Sequence, residues 1–313
     1  MNGPAAGAAW AELLRLPALF TVPGDALAGA AAAAPHPNPR TLLAICSSLC
    51  LYEAGMALND WADRDEDAAE RPHRPLPSGR VRPTAALAAA CAFTGTGLSL
   101  AARAGRPALA VATTLAATVW AYDLALKRTP AGPVAMAAAR GLDLLLGATA
   151  TTSAGASMQE GTPPGTGTAS GIRRALPSAT LLSAHTLTVT AVSRRETQGG
   201  TPLAPLAALA VTAALTGLVS RPSRQQGIPV SAPHVAVRTA LAAGYATTAA
   251  RPYFHATLNP SPPLTQRAVS GGIRATIPLQ AALSARSGAP VTALLTAALA
   301  PLAARFARKV SVT

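Results

Sequence analysis

Between residues 59 and 79 the chain reads NDWADRDEDAAERPHRPLPSG, a stretch rich in oxygen ligands at helical spacing. At 100° per residue, with Asn59 as zero, Asp63 falls at about 40°, Asp67 at about 80° and Asp60 at about 100°. Tyr52 and Glu53, earlier on the same pattern, fall at about 20° and about 120°. These groups therefore share one arc, provided that the helix runs on past Asn59. Carboxylates crowded in this way repel one another unless a cation lies between them. Hard oxygen ligands from few residues, with room left for phosphate oxygens, suit Mg²⁺. The following run from Arg71 to Gly79 holds Pro72, Pro75 and Pro77 and ends in glycine, so it reads as a stiff turn that holds Arg74 near the acids. The plainer alternative is a solvated helix in which Asp65 and Glu66 pair with Arg64 and Arg71. That alternative explains neither the one-sided arc nor the proline-rich turn.

The elements that position this stretch are apolar. Of 313 residues, 50% are hydrophobic and 12% charged, and the mean hydropathy is positive. A soluble domain carries about 25% charged residues, so this chain has too little polar surface to solvate a globule. The net charge of +13 could suggest nucleic acid. However, the basic residues sit between apolar runs, as in the loops of a membrane protein, and an aromatic fraction of 4% offers little for base stacking. No nucleic-acid partner is expected. Cys46 and Cys50, one helical turn apart, and the solitary Cys91 form neither a disulfide framework nor a zinc pattern.

A membrane span takes about 20 apolar residues. Candidate runs lie near 16–34, 41–58, 84–102, 107–126, 131–152, 175–192, 202–220, 233–250, 268–285 and 289–304. The first is interrupted by Pro17, Pro23 and Asp25 and shows no cleavage site, so it reads as a span rather than a signal peptide. The 233–250 run carries His234 and Arg238, and the 268–285 run carries Arg274 and Gln280. The expected architecture is all-α, a polytopic transmembrane bundle of about nine spans around a central cavity, with ten as the upper count. The Gly/Ser/Thr/Pro stretch 153–174 is expected to be a solvated loop.

Two spans separate loop 59–83 from 127–130, and two more separate that from 193–200, so the three loops share one membrane face. That face collects Arg64, Arg71, Arg74, Arg80, Arg82, Lys127, Arg128, Arg194 and Arg195. The other loops offer Arg40, Arg103, Arg106, Arg173, Arg174, Arg221 and Arg224. The positive-inside bias puts the polar loops in the cytoplasm of a bacterial-type membrane.

The spacing Asn59-Asp60-x-x-Asp63-x-x-x-Asp67, followed by Arg71, Arg74-Pro75 and Ser78-Gly79, resembles the first signature of UbiA-type intramembrane prenyltransferases. The resemblance runs from about residue 15 to 285 and continues at Tyr122 and Lys127-Arg128 (YDLALKR), where the family has a Tyr and basic residues after its fourth span. It implies Mg²⁺ held by Asn59, Asp63 and Asp67, with catalytic roles for Asp63, Asp67 and Lys127. It further implies a diphosphate gripped by Arg74, Lys127 and Arg128, with Asp60 and Tyr122 also at the substrate. The chain departs from the family at its second acidic signature. There it reads Ser193-Arg194-Arg195-Glu196-Thr197-Gln198-Gly199-Gly200, with Glu196 the lone carboxylate. The stretch 185–200 (HTLTVTAVSRRETQGG) is similar to the EboC-like branch. In a working enzyme Glu196 would serve as a second-site ligand while Arg194 and Arg195 neutralise phosphate charge.

Ionisable groups inside spans are costly and point to function by default. Arg140 and Asp143, at i and i+3, are expected to pair on one helix face. Asp25, beside a helix break at Pro23-Gly24, and Glu53 are candidates to face the cavity and meet an acceptor. His185 is expected to pack against a polar neighbour. Taken together, residues 1–313 read as one membrane domain, with a core over about 15–285 and an extra C-terminal span over about 289–304. The expected function is Mg²⁺-dependent transfer of a prenyl group from an isoprenyl diphosphate to a small-molecule acceptor, aromatic acceptors included, with membrane lipid around the site. The rival is a degenerate carrier that binds a lipid diphosphate and transfers nothing.

Overall fold

A computed structural model describes residues 3–34, 36–153, 166–194, 201–221 and 232–310. Every regular element among them is helical. In chain order these are α1 (Gly3–Leu13), a 3₁₀ segment (Leu16–Thr21), α2 (Pro23–Ala33), α3 (Pro39–Ala62), α4 (Arg64–Glu70), α5 (Pro83–Ala104) and α6 (Arg106–Ala121). A π-helical turn (Tyr122–Leu126) follows, then α7 (Gly132–Thr152), α8 (Thr166–Ser193), α9 (Leu203–Val219), α10 (Ala232–Leu258), α11 (Pro262–Arg286) and α12 (Pro290–Val310). With no water to satisfy backbone groups in hydrocarbon, helices or closed barrels are the structures that span a bilayer.

The helix starts follow local chemistry. Asn38 caps α3 by accepting from the Arg40 and Thr41 amides at 3.0 and 3.3 Å, and Thr41 Oγ1 accepts from the Asn38 amide at 3.0 Å. This reciprocal box satisfies N–H groups that have no partner within the helix. Proline occupies one of the first two positions of α2, α3, α5, α6 and α7, where its missing N–H costs nothing. Gly105, at φ 139°, makes the sharp reversal between α5 and α6.

All ten apolar runs fall on helices. Among the described residues, six stretches are by length and composition apolar enough to cross a membrane: Gly7–Ala33, Pro39–Ala62, Pro83–Ala104, Arg106–Leu126, Gly132–Thr152 and Gly167–Ser193. Leu203–Val219 and Pro290–Phe306 are shorter apolar helices. The two runs weakened by polar groups are α10 and α11, of 27 and 25 residues. Arg238 on α10 is buried and donates to the Ser220 carbonyl at 2.9 Å, so its charge faces protein rather than lipid. One expectation is overturned. Residues 166–174 do not belong to a loop but form the first turns of α8.

Small residues let the helices approach closely, which in lipid replaces the missing hydrophobic drive between helices. A side chain on Gly29 of α2 would collide with the Leu144 carbonyl of α7, and one on Gly147 of α7 with the Ala26 backbone of α2. This contact fixes the two helices that carry Asp25 and Arg140. At the far end of the chain α12 returns to the first segment, where Phe306 packs on Phe20 with ring centroids 5.6 Å apart. Gly147→Val is expected to lower stability by about 1–3 kcal/mol through overpacking, read as a fall in the thermal midpoint of the detergent-solubilised protein. Gly95→Ala, at a position with no atom in the way, should leave the midpoint unchanged or raise it.

Candidate active site

α3, α6, the π turn and α7 enclose a cavity of about 340 Å³. Its mouth is lined by Arg15, Asn59, Tyr122 and Asp123, its shaft by apolar and aromatic groups that include Met56, Val119 and Met136, and its floor by Ser48, Arg140 and Asp143. Ser48 lies eleven residues up α3 from Asn59, about 16 Å at 1.5 Å per residue.

The acidic stretch does not continue as one straight helix. α3 ends at Ala62, Asp63 takes φ −93° and ψ 3°, and α4 begins at Arg64. Hydrogen bonds from the Asp63 amide to Asn59 and from the Asp67 amide to Asp63, at 3.0 and 2.8 Å, carry the turn across the hinge. The expected single arc is therefore split into three groups. Asp60 and Asp67, both buried, face a set of arginines. Arg15 lies 2.9 Å from Asp60, and Arg74 lies 2.7 Å from Asp67 and 3.9 Å from Asp60. Arg71 stands 3.7 Å from Asp67. Asp63 faces the other way, toward Lys127 at 2.6 Å and Arg128 at 3.2 Å. Asn59 lies between the groups and donates to Asp123 at 3.0 Å. Tyr52 lines the cavity beneath them, whereas Glu53 is buried off it, with neither carboxylate oxygen hydrogen-bonded.

The proline-rich turn places Arg74 beside the acids, as its sequence suggests. The Ser78 hydroxyl donates to the Arg74 carbonyl at 2.6 Å, the Val81 amide to Pro75 at 2.9 Å, and Gly79 takes φ 73°. Arg80 donates to the His73 carbonyl at 2.6 Å and pairs with Glu12 of α1 at 2.7 Å, which clamps the turn. Leu76 and Val81 tuck beneath it, against Leu13 and Leu58.

Two positioning features had no expectation from sequence. Arg15 adopts φ 48°, a left-handed conformation uncommon outside glycine, and this aims its guanidinium at Asp60 and the cavity mouth. The π turn closes with the Lys127 amide donating to the Tyr122 carbonyl at 2.9 Å. Its extra residue lets Tyr122 and Asp123 both line the cavity while Lys127 reaches Asp63. Asp123 was legible in principle, because a carboxylate inside an apolar run is costly unless it is used.

The loops expected on one face do meet. Arg128 joins 127–130 to the acidic stretch through Asp63 and Glu66, and Arg194 donates to the Thr129 carbonyl at 2.7 Å. Glu196, and with it most of the divergent second signature, lies outside the described residues. At the cavity floor the expected Arg140–Asp143 pair is replaced. Arg140 pairs with Asp25 of α2 and donates to Thr21 at 3.0 Å, while Asp143 accepts from Ser48. The reason is geometric: α2 lies tightly against α7 and brings in a carboxylate at 0% exposure, to which Gln280 also donates at 2.5 Å. Asp25 is thus a structural partner of Arg140 and not a wall of the cavity. His185 is buried with its ring nitrogens 3.2 Å from the Tyr245 hydroxyl and 3.0 Å from the Gly272 carbonyl, a packed polar group as expected.

The donor set suits a divalent cation that arrives with phosphate. Among the described residues no three His, Cys, Asp or Glu side chains gather closely enough to cage a metal. Mg²⁺ rarely asks for a cage. It binds through one or two carboxylates and takes its remaining ligands from substrate phosphates and water. Asp60, Asp63 and Asp67 are each paired with a cation, and those cations are the groups that phosphate oxygens would take over.

The sequence model of the UbiA prenyltransferase family matches residues 21–226, and the chain belongs to that family. The family is integral to membranes, in keeping with the apolar helices found here. Among curated relatives, a digeranylgeranylglyceryl phosphate synthase of Methanopyrus kandleri is 34% identical over 127 residues, which is 39% of this chain and 45% of the relative. The match thus spans under half of that relative's length. Among solved structures, the apo form of a UbiA homolog from Aeropyrum pernix K1 shares the fold, with a TM-score of 0.64 at 20% identity over 85% of this chain and 96% of that one. A UbiA homolog from Archaeoglobus fulgidus bound to DMAPP and Mg²⁺ gives a TM-score of 0.54 at 17% identity, covering 85% and 98% of the two chains.

Proposed function

We propose that this chain transfers a prenyl group from an isoprenyl diphosphate to a lipid acceptor within the membrane, in an Mg²⁺-dependent reaction that releases pyrophosphate. The observation that carries the proposal is the cavity itself, a shaft about 16 Å deep at 1.5 Å per helical residue, with a charged mouth, an apolar length and the polar floor of Ser48, Arg140 and Asp143. That shape matches a substrate with an anionic head and an isoprenoid tail. The carrier reading would use the same shape but release no pyrophosphate.

In this reading Asn59, Asp63 and Asp67 would hold Mg²⁺ once phosphate has drawn off the cations now paired with the two acids, and the ion would supply charge that offsets the leaving diphosphate. Arg74, Lys127 and Arg128 take the phosphate oxygens, with Arg194 behind them on the Thr129 carbonyl. The bond from C1 of the prenyl group to the diphosphate oxygen breaks, and its electron pair leaves with pyrophosphate. A lone pair of the acceptor forms the new bond to C1, and the displaced proton passes to water at the mouth. Preorganised cations aimed at the developing charge supply the main electrostatic assistance. The apolar shaft keeps water from the electron-poor carbon, while Tyr122 and Asp60 border the reacting centre. We assign the polar loops to the cytoplasmic face on their basic residues, and the whole chain to one membrane domain with α12 as its extra C-terminal span.

The acceptor we infer is a glyceryl phosphate that already bears one prenyl chain, because the curated relatives carry the name digeranylgeranylglyceryl phosphate synthase. The test is product mass. Purified protein with Mg²⁺ and geranylgeranyl diphosphate should convert geranylgeranylglyceryl phosphate to a species heavier by one geranylgeranyl group. Transfer only to hydroxylated aromatic acids would reassign the acceptor, and transfer to neither would remove this reading.

A further inference from the structure

Beside the cavity mouth lies a second recess of about 230 Å³, bounded by Trp61, Arg64, Leu124, Lys127 and Arg128. Asp123 lines both spaces and forms the wall between them. The recess is basic on one side and apolar on the other. The Arg64 guanidinium lies 4.8 Å from the Trp61 ring centroid and donates to the Trp61 carbonyl at 3.0 Å, which fixes its plane. Its carboxylate partner, Asp65, is 3.4 Å away and almost wholly exposed. Arg128 is two-thirds exposed and pairs with Glu66 at 2.5 Å. Exposed pairs of this kind contribute little and exchange readily. A phosphate monoester offers arginine shorter, charge-assisted and bidentate bonds in their place. On the apolar side Leu124 is half exposed, next to the Trp61 indole, where an alkyl chain in the bilayer can lie against both.

We propose that this recess binds the phosphate head of the lipid acceptor, with Arg64 as its principal contact, so that the acceptor meets the donor across Asp123. The proposal rests on the transferase reading for its choice of ligand. An anionic bilayer lipid would present the same phosphate chemistry, so the two sources are separated in the test.

The measurement is equilibrium binding of labelled geranylgeranylglyceryl phosphate to the full chain in phosphatidylcholine nanodiscs, without donor or Mg²⁺. Arg64→Gln should weaken binding about tenfold, Arg64→Lys should recover part of that loss, and geranylgeranylglycerol, which lacks the phosphate, should bind equally to all three proteins. Unchanged binding in Arg64→Gln, or an equal loss for both ligands, would overturn the assignment. Full competition by phosphatidylglycerol would show a general anionic-lipid site and overturn it too. Because the readout is binding, a failure to transfer prenyl groups would count against the transferase reading alone. Donor binding, measured on the same discs with Mg²⁺, shows that each variant is folded.

Discussion

Asp63→Asn is expected to cut the rate of prenyl transfer by about 10²–10³-fold, the range seen when one preorganised electrostatic group is removed from an active site. The side chain keeps its size and loses only its charge. In the structure Asp63 sits on the hinge between α3 and α4 and draws Lys127 to 2.6 Å and Arg128 to 3.2 Å. Without that charge the cations of the 127–130 loop lose the partner that sets their position. The mouth also loses the carboxylate best placed to share a divalent cation with diphosphate. The two roles separate by measurement. If Asp63 holds the cation, the Mg²⁺ concentration needed for half-maximal rate rises steeply. If it only anchors Lys127, that concentration stays fixed while kcat falls.

The largest expected effect on stability lies at the cavity floor. Arg140→Met should destabilise the protein by about 3–5 kcal/mol, the cost of breaking a buried ion pair and leaving one charge uncompensated. The stranded group is Asp25, at 0% exposure, whose other side-chain donor is Gln280. Asp25→Ala should cost less, because Asp143 lies one turn along α7 and can take over Arg140. Replacing both partners with apolar residues, Arg140→Met with Asp25→Leu, should recover much of the loss, since a buried pair exchanged for packed hydrophobic groups is often neutral or stabilising. Thermal unfolding in detergent ranks the three proteins. A double variant as unstable as Arg140→Met alone would show that the network matters for its hydrogen bonds to Thr21 and Gln280 and not for its charge balance.

The bundle was legible because apolar runs of about 20 residues have few alternatives. The polar runs at α10 and α11 were harder to read, since spacing does not show that Arg238 finds the Ser220 carbonyl of another helix end while Arg274 stays exposed and bonds Ser270 on its own helix. At the candidate site, residue identity was more legible than geometry. Periodicity placed Asn59, Asp60, Asp63 and Asp67 together, but nothing local marks Asp63 as a hinge, and the hinge decides which base each acid meets. The partner of Arg140 could not be read from spacing, because the tight approach of α2 to α7 at Gly29 and Gly147 brings Asp25 closer than the i, i+3 neighbour. Arg15 escaped notice because its role depends on one backbone angle. Asp123 escaped because a π turn, invisible to a 3.6-residue period, rotates it into the cavity.

The most direct test is pyrophosphate release from labelled geranylgeranyl diphosphate by the purified chain in lipid nanodiscs, with membrane extract as acceptor source, with and without Mg²⁺. Release that requires Mg²⁺, matches prenylated product one for one and falls at least about a hundredfold in Asp63→Asn is the predicted result. Tight Mg²⁺-dependent binding of the diphosphate with no release would contradict it and identify a carrier built on the same cavity.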